Sequence, residues 1–425
     1  STVSGGDGNT ASGSTSAVGG GLGNTSSGSV STVGGGRWNT ASGSISTVSG
    51  GIINTASGSV STVGGGVSNT ASGGCSTVGG GGSNTASATN SSVAGGCCNI
   101  TNARHSIVAG GHRNIIQSPT NECCSRGATI GGGVGHNSSG GTLNATTGDL
   151  TGTITCCNAG AFSTIAGGLR NCATGPYSNI GGGCNNTASS ISTIGGGYCN
   201  TASNHGSTVA GGFNNTASGL GSTISGGTTN TTSNFYSTVG GGQNNTASSY
   251  SAIGGGCFNT ASAYNSTVGG GQNNTASGMQ STVGGGGSNT ASNFYSTIGG
   301  GRSNTASAKN SSVAGGCCNI TNARHSVISG GHRNIIQSPT NECSSRGATI
   351  GGGVGHNSSG GTLNATTGDL TGTITCCNAG AFSTISGGLR NVATGACDTI
   401  GGGCGNTASG SVSTVGGGVS NTASG

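Results

Sequence analysis

One short residue pattern recurs along almost the whole chain. Residues 266–280 read STVGGGQNNTASGMQ, and residues 281–295 follow with the near copy STVGGGGSNTASNFY. If the Val or Ile before the glycines is taken as the anchor of each unit, the anchors run from Val3 through Val18 to Val108 at a constant 15-residue spacing. Later anchors keep this spacing, apart from slightly shorter steps at Ile194 and Ile253. A fixed short period of this kind indicates a repeat architecture.

The period and the residue types together predict the fold. Fifteen residues are too few for a helical-hairpin repeat, and Gly, Ser, Thr, Asn and Val are poor helix formers. Each unit instead fits two short strands, around Ser-Thr-Val and Asn-Thr-Ala-Ser, with the Gly-Gly-Gly run in one turn because glycine adopts positive φ without cost. Alternation along a strand directs Val and Ala inward and Thr outward. We therefore expect an all-β, parallel β-solenoid (β-roll) of about 25 coils with a 15-residue repeat.

An Asn follows most anchors at a fixed distance, just before the second strand. Stacked in successive coils, these side chains would form a ladder of amide groups that bond to the copies above and below, as in cross-β assemblies. The alternative is that this Asn simply suits a turn. The Asn residues concerned include Asn69, Asn84, Asn245, Asn274 and Asn289.

Each coil offers a small core of about one Val or Ile and one Ala. Ordering a residue costs about 1 to 2 kcal/mol of conformational entropy, whereas burying one Val returns only about 1.5 to 3 kcal/mol. A single solenoid of this sequence is therefore expected to be marginal, so we expect self-association that buries more surface.

Composition and charge exclude several classes of protein. The chain has 98 Gly and 3 Pro, and only 4% of its 425 residues are charged. Its net charge of +5 comes from scattered Arg residues and the single Lys309, so nucleic-acid binding is not expected. No stretch approaches the roughly 18 consecutive apolar residues of a membrane span.

The repeats are interrupted twice by nearly identical inserts. Anchor spacing widens between Val108 and Ile165, and the same inserts return between Ile328 and Ile385. The sequence thus predicts five segments: repeats at 1–110, insert-bearing coils at 111–164, repeats at 165–330, duplicated insert-bearing coils at 331–384, and repeats at 385–425. Insertions in a solenoid form loops on its side, where they either bind a partner or clasp neighbouring protomers.

The units resemble the YadA-like head repeats of trimeric autotransporter adhesins, and similar units occur in phage and large-virus fibre proteins. The shared features are the Ser/Val/Gly half, the two-residue gap and the Ala-Ser-Gly half of STVGGGQNNTASGMQ. This sequence departs from the family in placing Gly where the family has Ile before Gly, and its unit is usually slightly longer. The resemblance implies a left-handed parallel β-roll, a homotrimeric rod and no catalysis.

Cysteines are numerous for a chain of this composition. There are 18, and ten of them form adjacent pairs. Cys184 and Cys199 occupy corners of consecutive coils and form a candidate disulfide, which fits an extracellular protein. Reduced thiols in slots for small residues are the alternative. The adjacent pairs are Cys97–Cys98, Cys123–Cys124, Cys156–Cys157, Cys317–Cys318 and Cys376–Cys377.

The segment NARHSIVAGGHRN gathers ionisable residues. It contains Arg104, His105, His112 and Arg113, with Glu122 following. These residues fit a metal site or an acid–base pair, but exposed corners are the simpler interpretation, because no paired carboxylates, nucleophile or phosphate loop accompanies them. We therefore predict no catalytic residues, no cofactor and no metal site. The set recurs later in the chain as Arg324, His325, His332, Arg333 and Glu342.

Aromatic residues concentrate between Tyr198 and Tyr295. Most lie shortly before an anchor and so fall on one corner of the predicted solenoid. Such an exposed stripe would bind a receptor or glycan, or would form contacts between protomers. Its members are Phe235, Tyr236, Tyr250, Tyr264, Met279, Phe294 and Tyr295.

These observations favour a structural fibre or adhesin-like filament on a cell or virion surface. Its expected partners are copies of itself, as a homotrimer or an end-to-end filament, and a host receptor or glycan. The alternative is an ice-binding solenoid, because Thr2, Thr32, Thr62 and Thr77 would form a regular outward ladder. An enzyme built on a β-helix is a third, weaker interpretation, since carboxylate and basic clusters are missing.

Overall fold

A computed structural model describes residues 1–118, 126–138, 160–338, 346–358 and 380–425, together with the backbone of four short strands within the inserts. The chain divides into two compact units, Ser1–Gly221 and Ser222–Gly425. The boundary falls inside the predicted repeat segment 165–330. Among the described residues, no helix occurs that is long and apolar enough to cross a membrane.

Every regular coil contributes two short strands, as the sequence predicts. In the coil anchored at Val33, the anchor strand is Thr32–Val33 and the second strand is Thr40–Ala41. Val33 and Ala41 are fully buried, whereas the two Thr residues point outward. Pairing is parallel and in register, so that Thr32 faces Thr47 and Val33 faces Val48 of the next coil. The all-β parallel solenoid is confirmed.

The first unit contains anchor strands, second strands and one antiparallel hairpin in its insert. Its anchor strands are Thr2–Val3, Ala17–Val18, Thr32–Val33, Thr47–Val48, Thr62–Val63, Thr77–Val78, Ser92–Val93, Ile107–Val108, Thr129–Ile130, Thr164–Ile165, Asn179–Ile180, Thr193–Ile194 and Thr208–Val209. Its second strands are Thr10–Ala11, Thr25–Ser26, Thr40–Ala41, Thr55–Ala56, Thr70–Ala71, Thr85–Ala86, Ile100–Thr101, Ile115–Ile116, Cys172–Ala173, Thr187–Ala188, Thr201–Ala202 and Thr216–Ala217. The hairpin pairs Thr142–Leu143 with Leu150–Thr151.

The second unit repeats this plan. Its anchor strands are Thr223–Ile224, Thr238–Val239, Ala252–Ile253, Thr267–Val268, Thr282–Val283, Thr297–Ile298, Ser312–Val313, Val327–Ile328, Thr349–Ile350, Thr384–Ile385, Thr399–Ile400 and Thr414–Val415. Its second strands are Thr231–Ser233, Thr246–Ser248, Thr260–Ala261, Thr275–Ala276, Thr290–Ala291, Thr305–Ala306, Ile320–Thr321, Ile335–Ile336, Val392–Ala393, Thr407–Ala408 and Thr422–Ala423. The hairpin pairs Thr362–Leu363 with Leu370–Thr371.

A third ladder of single-residue parallel bridges runs beside the strands in each unit, and the sequence does not reveal it. It joins the residue after the glycine run in successive coils, for example Arg37 to Ile52 and Ile52 to Val67. The ladder needs only backbone groups, so its side chains are free to vary. Each coil therefore has three backbone-paired segments instead of the two predicted.

The inserts leave the stack intact. Ile107 pairs with Thr129, and Thr129 pairs with Thr164, so the anchor sheet continues past both insertions. Asn137 bridges Ile115 on one side and Cys172 on the other. The inserts are predicted to bind a partner or to clasp neighbouring protomers, and this prediction concerns residues outside the described ones. The same holds for Glu122, Cys123–Cys124, Cys156–Cys157 and Cys376–Cys377.

The buried Asn of each coil bonds chiefly to backbone, which corrects the expected ladder of amide groups. The Oδ1 atom of Asn39 accepts from the backbone N–H of Asn54 at 2.9 Å. Its Nδ2 group donates to the carbonyls of Gly35, at 2.9 Å, and Gly51, at 2.8 Å. Bonds between the amide groups themselves, such as Asn99 to Asn84 at 3.2 Å, occur only in places. Each Asn thus ties its own glycine turn to the next coil.

A histidine replaces this Asn in the coils anchored at Ile130 and Ile350. His136 is fully buried; its Nδ1 atom accepts from the backbone N–H of Asn171 at 3.0 Å, and its backbone N–H donates to Oδ1 of Asn114 at 3.0 Å. The buried Nε2 atom has no partner in good hydrogen-bonding geometry. His356 repeats the arrangement in the second unit. Since Nδ1 must accept, the fold requires the neutral imidazole.

The two buried histidines are expected to make stability fall in mild acid. Burial lowers the pKa of both His136 and His356, and interactions with nearby backbone groups offset this only in part. The unfolded chain therefore takes up protons first as the pH falls through the ordinary histidine pKa of about 6.5. The contribution of the two neutral histidines to the free energy of unfolding is complete above that pH. It is lost progressively as the pH falls from there to the lowered pKa of the folded state.

Chemical denaturation midpoints measured between about pH 7.5 and about pH 5 check this expectation. The control is H136N/H356N, which restores the Asn found at this position in regular coils and so removes the titrating groups without removing the acceptor. We expect the variant to lose less stability than the natural chain over this range. Equal losses in the two proteins would show that the buried histidines do not cause the acid sensitivity.

Candidate surface sites at the coil corners

Each regular coil exposes two variable corners. The glycine corner consists of the two residues between the glycine run and the buried Asn, such as Arg37 and Trp38. The serine corner consists of the two residues before the buried Ser that precedes the anchor strand, such as Ser44 and Ile45. The second residue of each pair adopts left-handed backbone, with φ of 52° at Trp38 and 59° at Ile45. The scaffold fixes the backbone here while the side chains face solvent.

The predicted aromatic stripe lies along the serine corner of the second unit, and all seven of its members are exposed. Ring centroids of Tyr236 and Tyr250 are 5.5 Å apart, and those of Tyr250 and Tyr264 are 5.0 Å apart. The ring centroid of Phe235 lies 6.2 Å from that of Tyr250. Stacked side chains of successive coils therefore form a contiguous aromatic surface over Phe235, Tyr236, Tyr250 and Tyr264. What this surface contacts stays a prediction.

The structure also places apolar residues on corners outside the predicted aromatic stripe. Val30, Ile45 and Val60 occupy the serine corner of three consecutive coils and are about half exposed. On the glycine corner, the guanidinium of Arg37 lies 4.7 Å from the ring of Trp38, and Ile53 is exposed in the next coil. The recurrence of Val30, Ile45 and Val60 at the repeat spacing was the signal that could have found this column.

Cys184 and Cys199, the candidate disulfide, belong to adjacent coils. The N–H of Cys199 donates to the carbonyl of Cys184 at 2.9 Å, and both thiols are free in the structure. Cys184 lies on the bridge ladder and pairs with Tyr198, whereas Cys199 is the second residue of its corner. The disulfide is not formed here and stays a prediction.

The ionisable segment splits between the two corners. Arg104 and His105 lie on a serine corner, and His112 and Arg113 lie on a glycine corner, so the two histidines are not brought together as a site. His112 instead meets cysteines of the preceding coil. The ligand atoms of Cys97, Cys98 and His112 all lie within 4.8 Å of one another. In the second unit the same group is formed by Cys317, Cys318 and His332.

One coil of the first unit resembles a known repeat. Residues 207–219, STVAGGFNNTASG, match the family model of the Ubiquitous surface protein adhesin repeat. No curated protein matches the chain.

The adhesin-repeat match and the parallel β-solenoid agree with a repeat like those of trimeric autotransporter adhesins. They point to a surface-exposed protein with a structural or adhesin-like role and suggest a structural protein in preference to a catalytic one. The more specific comparison with YadA-like heads and with phage or large-virus fibres stays a prediction.

Proposed function

We propose that this chain is a structural segment of an adhesin-like filament, displayed outside a cell or on a virion, that attaches through its exposed coil corners. The observation that carries the proposal is that each coil combines recurring buried residues with variable exposed ones. Val33, Asn39 and Ala41 are fully buried and recur in kind, whereas the corner residues are exposed and differ from coil to coil. A constant scaffold with variable exposed positions suits the presentation of binding groups.

The adhesin-repeat match at residues 207–219 supports this role. The aromatic surface over Phe235, Tyr236, Tyr250 and Tyr264 is the strongest candidate for contact with a receptor or glycan. Tyr rings combine a large apolar face with a hydroxyl group, and exposed apolar patches commonly mark interaction sites. We further propose that the filament is a homotrimer, in which apolar corners such as Val30, Ile45 and Val60 contribute to protomer contacts.

Attachment is tested with the variant Y236N/Y250N/Y264S. Asn at the second corner position already occurs at Asn265 and Asn310, and Ser at the first occurs at Ser44, so the scaffold tolerates these changes. Binding of the natural chain and the variant to a panel of cells and immobilised glycans is compared. We expect the variant to bind at least about tenfold more weakly, which corresponds to about 1.4 kcal/mol.

The control Q243S/Q272S alters the glycine corner, where both Gln residues are exposed. It is expected to bind like the natural chain. Light scattering on the same three proteins, with and without reductant, measures the assembly. A trimer that dissociates only in the Tyr variant would assign the aromatic surface to protomer contacts. A monomeric natural chain would overturn the homotrimer, and unchanged binding by the Tyr variant would overturn the attachment surface.

An ice-binding role is the second candidate, favoured by the outward threonine columns. In the anchor sheet Thr62 pairs with Thr77, and in the second sheet Thr55 pairs with Thr70, so each sheet presents one regular column. Thermal hysteresis of the full chain in solution tests this role. A measurable hysteresis would favour ice binding, whereas its absence at concentrations that support attachment would leave the adhesin-like role.

A further inference from the structure

The stacking of coils gathers two cysteines and a histidine on the glycine corner of each unit. Cys97 and His112 are neighbours on the bridge ladder, so the register of the solenoid places their side chains side by side. Cys98 follows Cys97 and has left-handed backbone, with φ of 61°. The thiol sulfurs of Cys97 and Cys98 are 2.9 Å apart. Neither residue type is needed by the scaffold, since the bridge ladder accepts Gly82 in the preceding coil.

The same group occurs in the second unit with the same geometry. Cys317 bridges His332, and the sulfurs of Cys317 and Cys318 are 3.0 Å apart. In both units the three ligand atoms lie within 4.8 Å of one another. The groups are exposed or half-buried, so solvent and ions reach them.

We propose that each of these clusters, Cys97–Cys98–His112 and Cys317–Cys318–His332, binds one thiophilic divalent cation of the Zn²⁺ type. Two sulfurs and one imidazole nitrogen are a donor set that Zn²⁺ takes in proteins, with a water molecule in the fourth position. With Zn–S bonds of about 2.3 Å, two sulfurs in a tetrahedral site lie about 3.8 Å apart. The pair therefore has to open by about 1 Å, which rotation of the two side chains, each exposed or half-buried, provides.

Binding replaces protons with the metal. Each thiol releases its proton to solvent and donates the resulting lone pair to the cation, and the neutral imidazole donates through one ring nitrogen. The hydrogen bond with Cys97, together with partial burial, raises the pKa of the Cys98 thiol, while Arg113 acts in the opposite direction. The cation must therefore compete with a proton that the two sulfurs share.

The proposal is tested on the full chain under a phosphine reductant that does not chelate metals. Bound Zn²⁺ is counted after equilibrium dialysis for the natural chain, for C97S/C98S and for C97S/C98S/C317S/C318S. We expect the first variant to lose one Zn²⁺ per chain and the second to lose two. The control is C257S, which removes a half-buried cysteine at the same ladder position that belongs to neither cluster. It is expected to lose none.

Replacement of His112 tests the third ligand. Co²⁺ bound to thiolates gives charge-transfer absorption, and its d–d bands report the coordination geometry. H112A/H332A is expected to weaken Co²⁺ binding and to alter the d–d bands while part of the thiolate absorption remains. An unchanged spectrum and affinity would overturn the assignment of histidine as a ligand. Unchanged Zn²⁺ stoichiometry in the cysteine variants would overturn the sites altogether.

A measurement on the natural chain avoids any effect of substitution on folding. Cysteines are alkylated with and without Zn²⁺, and the modified positions are read by mass spectrometry. We expect Zn²⁺ to slow alkylation of Cys97, Cys98, Cys317 and Cys318 severalfold and to leave Cys257 unchanged. Equal alkylation of the cluster cysteines in both conditions would contradict the proposal.

Discussion

Gly271→Ala is expected to open the coils on either side of it. Gly271 has φ of 88°, and a Cβ atom there would overlap the carbonyl oxygen of Gly286 and lie 2.7 Å from Nδ2 of Asn274. Left-handed backbone costs a residue with a side chain about 1 to 2 kcal/mol, and overpacking adds about 1 to 3 kcal/mol. The combined destabilisation is therefore about 2 to 5 kcal/mol. Both obstructing groups belong to the stack itself, so neither moves without breaking a bond between coils.

The matched control is Gly270→Ala, at the preceding position. A Cβ at Gly270 has no atom nearer than the carbonyl oxygen of Gly255, at 4.0 Å, and its backbone is not left-handed. This substitution is expected to be neutral or to stabilise by up to about 1 kcal/mol, because Ala reduces the entropy of the unfolded chain. Equal effects of the two substitutions would show that turn geometry does not limit stability.

Hydrogen exchange resolves the effect better than global unfolding does. Each coil contacts only its neighbours, so damage in a repeat protein is local. Peptides covering residues 257–290 are expected to lose protection in Gly271→Ala, while peptides from the first unit keep theirs. Protection that is unchanged around Gly271 would contradict the expected local opening. Loss of protection throughout both units would mean that the coils unfold together. The destabilisation by Gly271→Ala would then lower the thermal midpoint of the whole chain.

The sequence predicts the parts of the fold that depend on periodicity. Val33 and Ala41 alternate with Thr and have counterparts in most regular coils, with Ser26, Thr101 and Thr232 among the exceptions at the Ala position. That pattern allows little besides inward Val and Ala on stacked strands. The turn at the glycine run follows in the same way, because positions such as Gly36, with φ of 88°, exclude a side chain. Because the same residue pattern recurs from coil to coil, the structure predicted for one regular coil applies to the others.

Features set by the backbone alone could not be predicted in the same way. The bridge ladder accepts Arg37, Ile52 and Val67 in turn, so no residue pattern marks it. The left-handed corner at Ile45 contradicts the usual preference of β-branched residues. The N–H of Ile45 donates to the carbonyl of Ser29 in the preceding coil, and the N–H of Ser46 closes the turn on Gly43. Hydrogen bonds from the Asn side chains to glycine carbonyls cannot be read from the sequence, because the same residue pattern fits an Asn in a turn and an Asn in a ladder.

The candidate metal clusters were within reach of the sequence. Cys97 and His112 are separated by one full repeat, the same distance that separates successive anchors, so stacking had to place them together. Treated as separate motifs, the cysteine pair and the histidine each suggest little. Once residues are compared across coils instead of along the chain, ligands from consecutive units become neighbours. In a solenoid, the residues of a site are therefore expected at the repeat spacing.

Asn274→Ala is expected to cost about 2 to 6 kcal/mol through the loss of the hydrogen bonds of a buried side chain. Nδ2 of Asn274 donates to the carbonyls of Gly270 and Gly286, both at 2.9 Å, and Oδ1 accepts from the N–H of Asn289 at 3.0 Å. Alanine leaves the buried N–H of Asn289 without its acceptor, at about 1 to 3 kcal/mol. It also removes the two part-buried hydrogen bonds to the carbonyls of Gly270 and Gly286, at about 0.5 to 1.5 kcal/mol each.

The neighbouring Asn273 supplies the control for Asn274→Ala, because it is the same residue type at the preceding position. Asn273 is exposed, with φ of 55°, so Asn273→Ala loses only the preference of Asn for left-handed backbone, about 1 kcal/mol or less. Denaturation midpoints and exchange protection of the N–H of Asn289 compare the two variants. We expect Asn274→Ala to expose the N–H of Asn289 to exchange and Asn273→Ala to leave it protected. That result would show that the buried side-chain amide of Asn274 joins its glycine turn to the next coil. Equal protection of that N–H in both variants would show that the strand pairing between Thr275 and Thr290, and not the Asn274 side chain, joins the two coils.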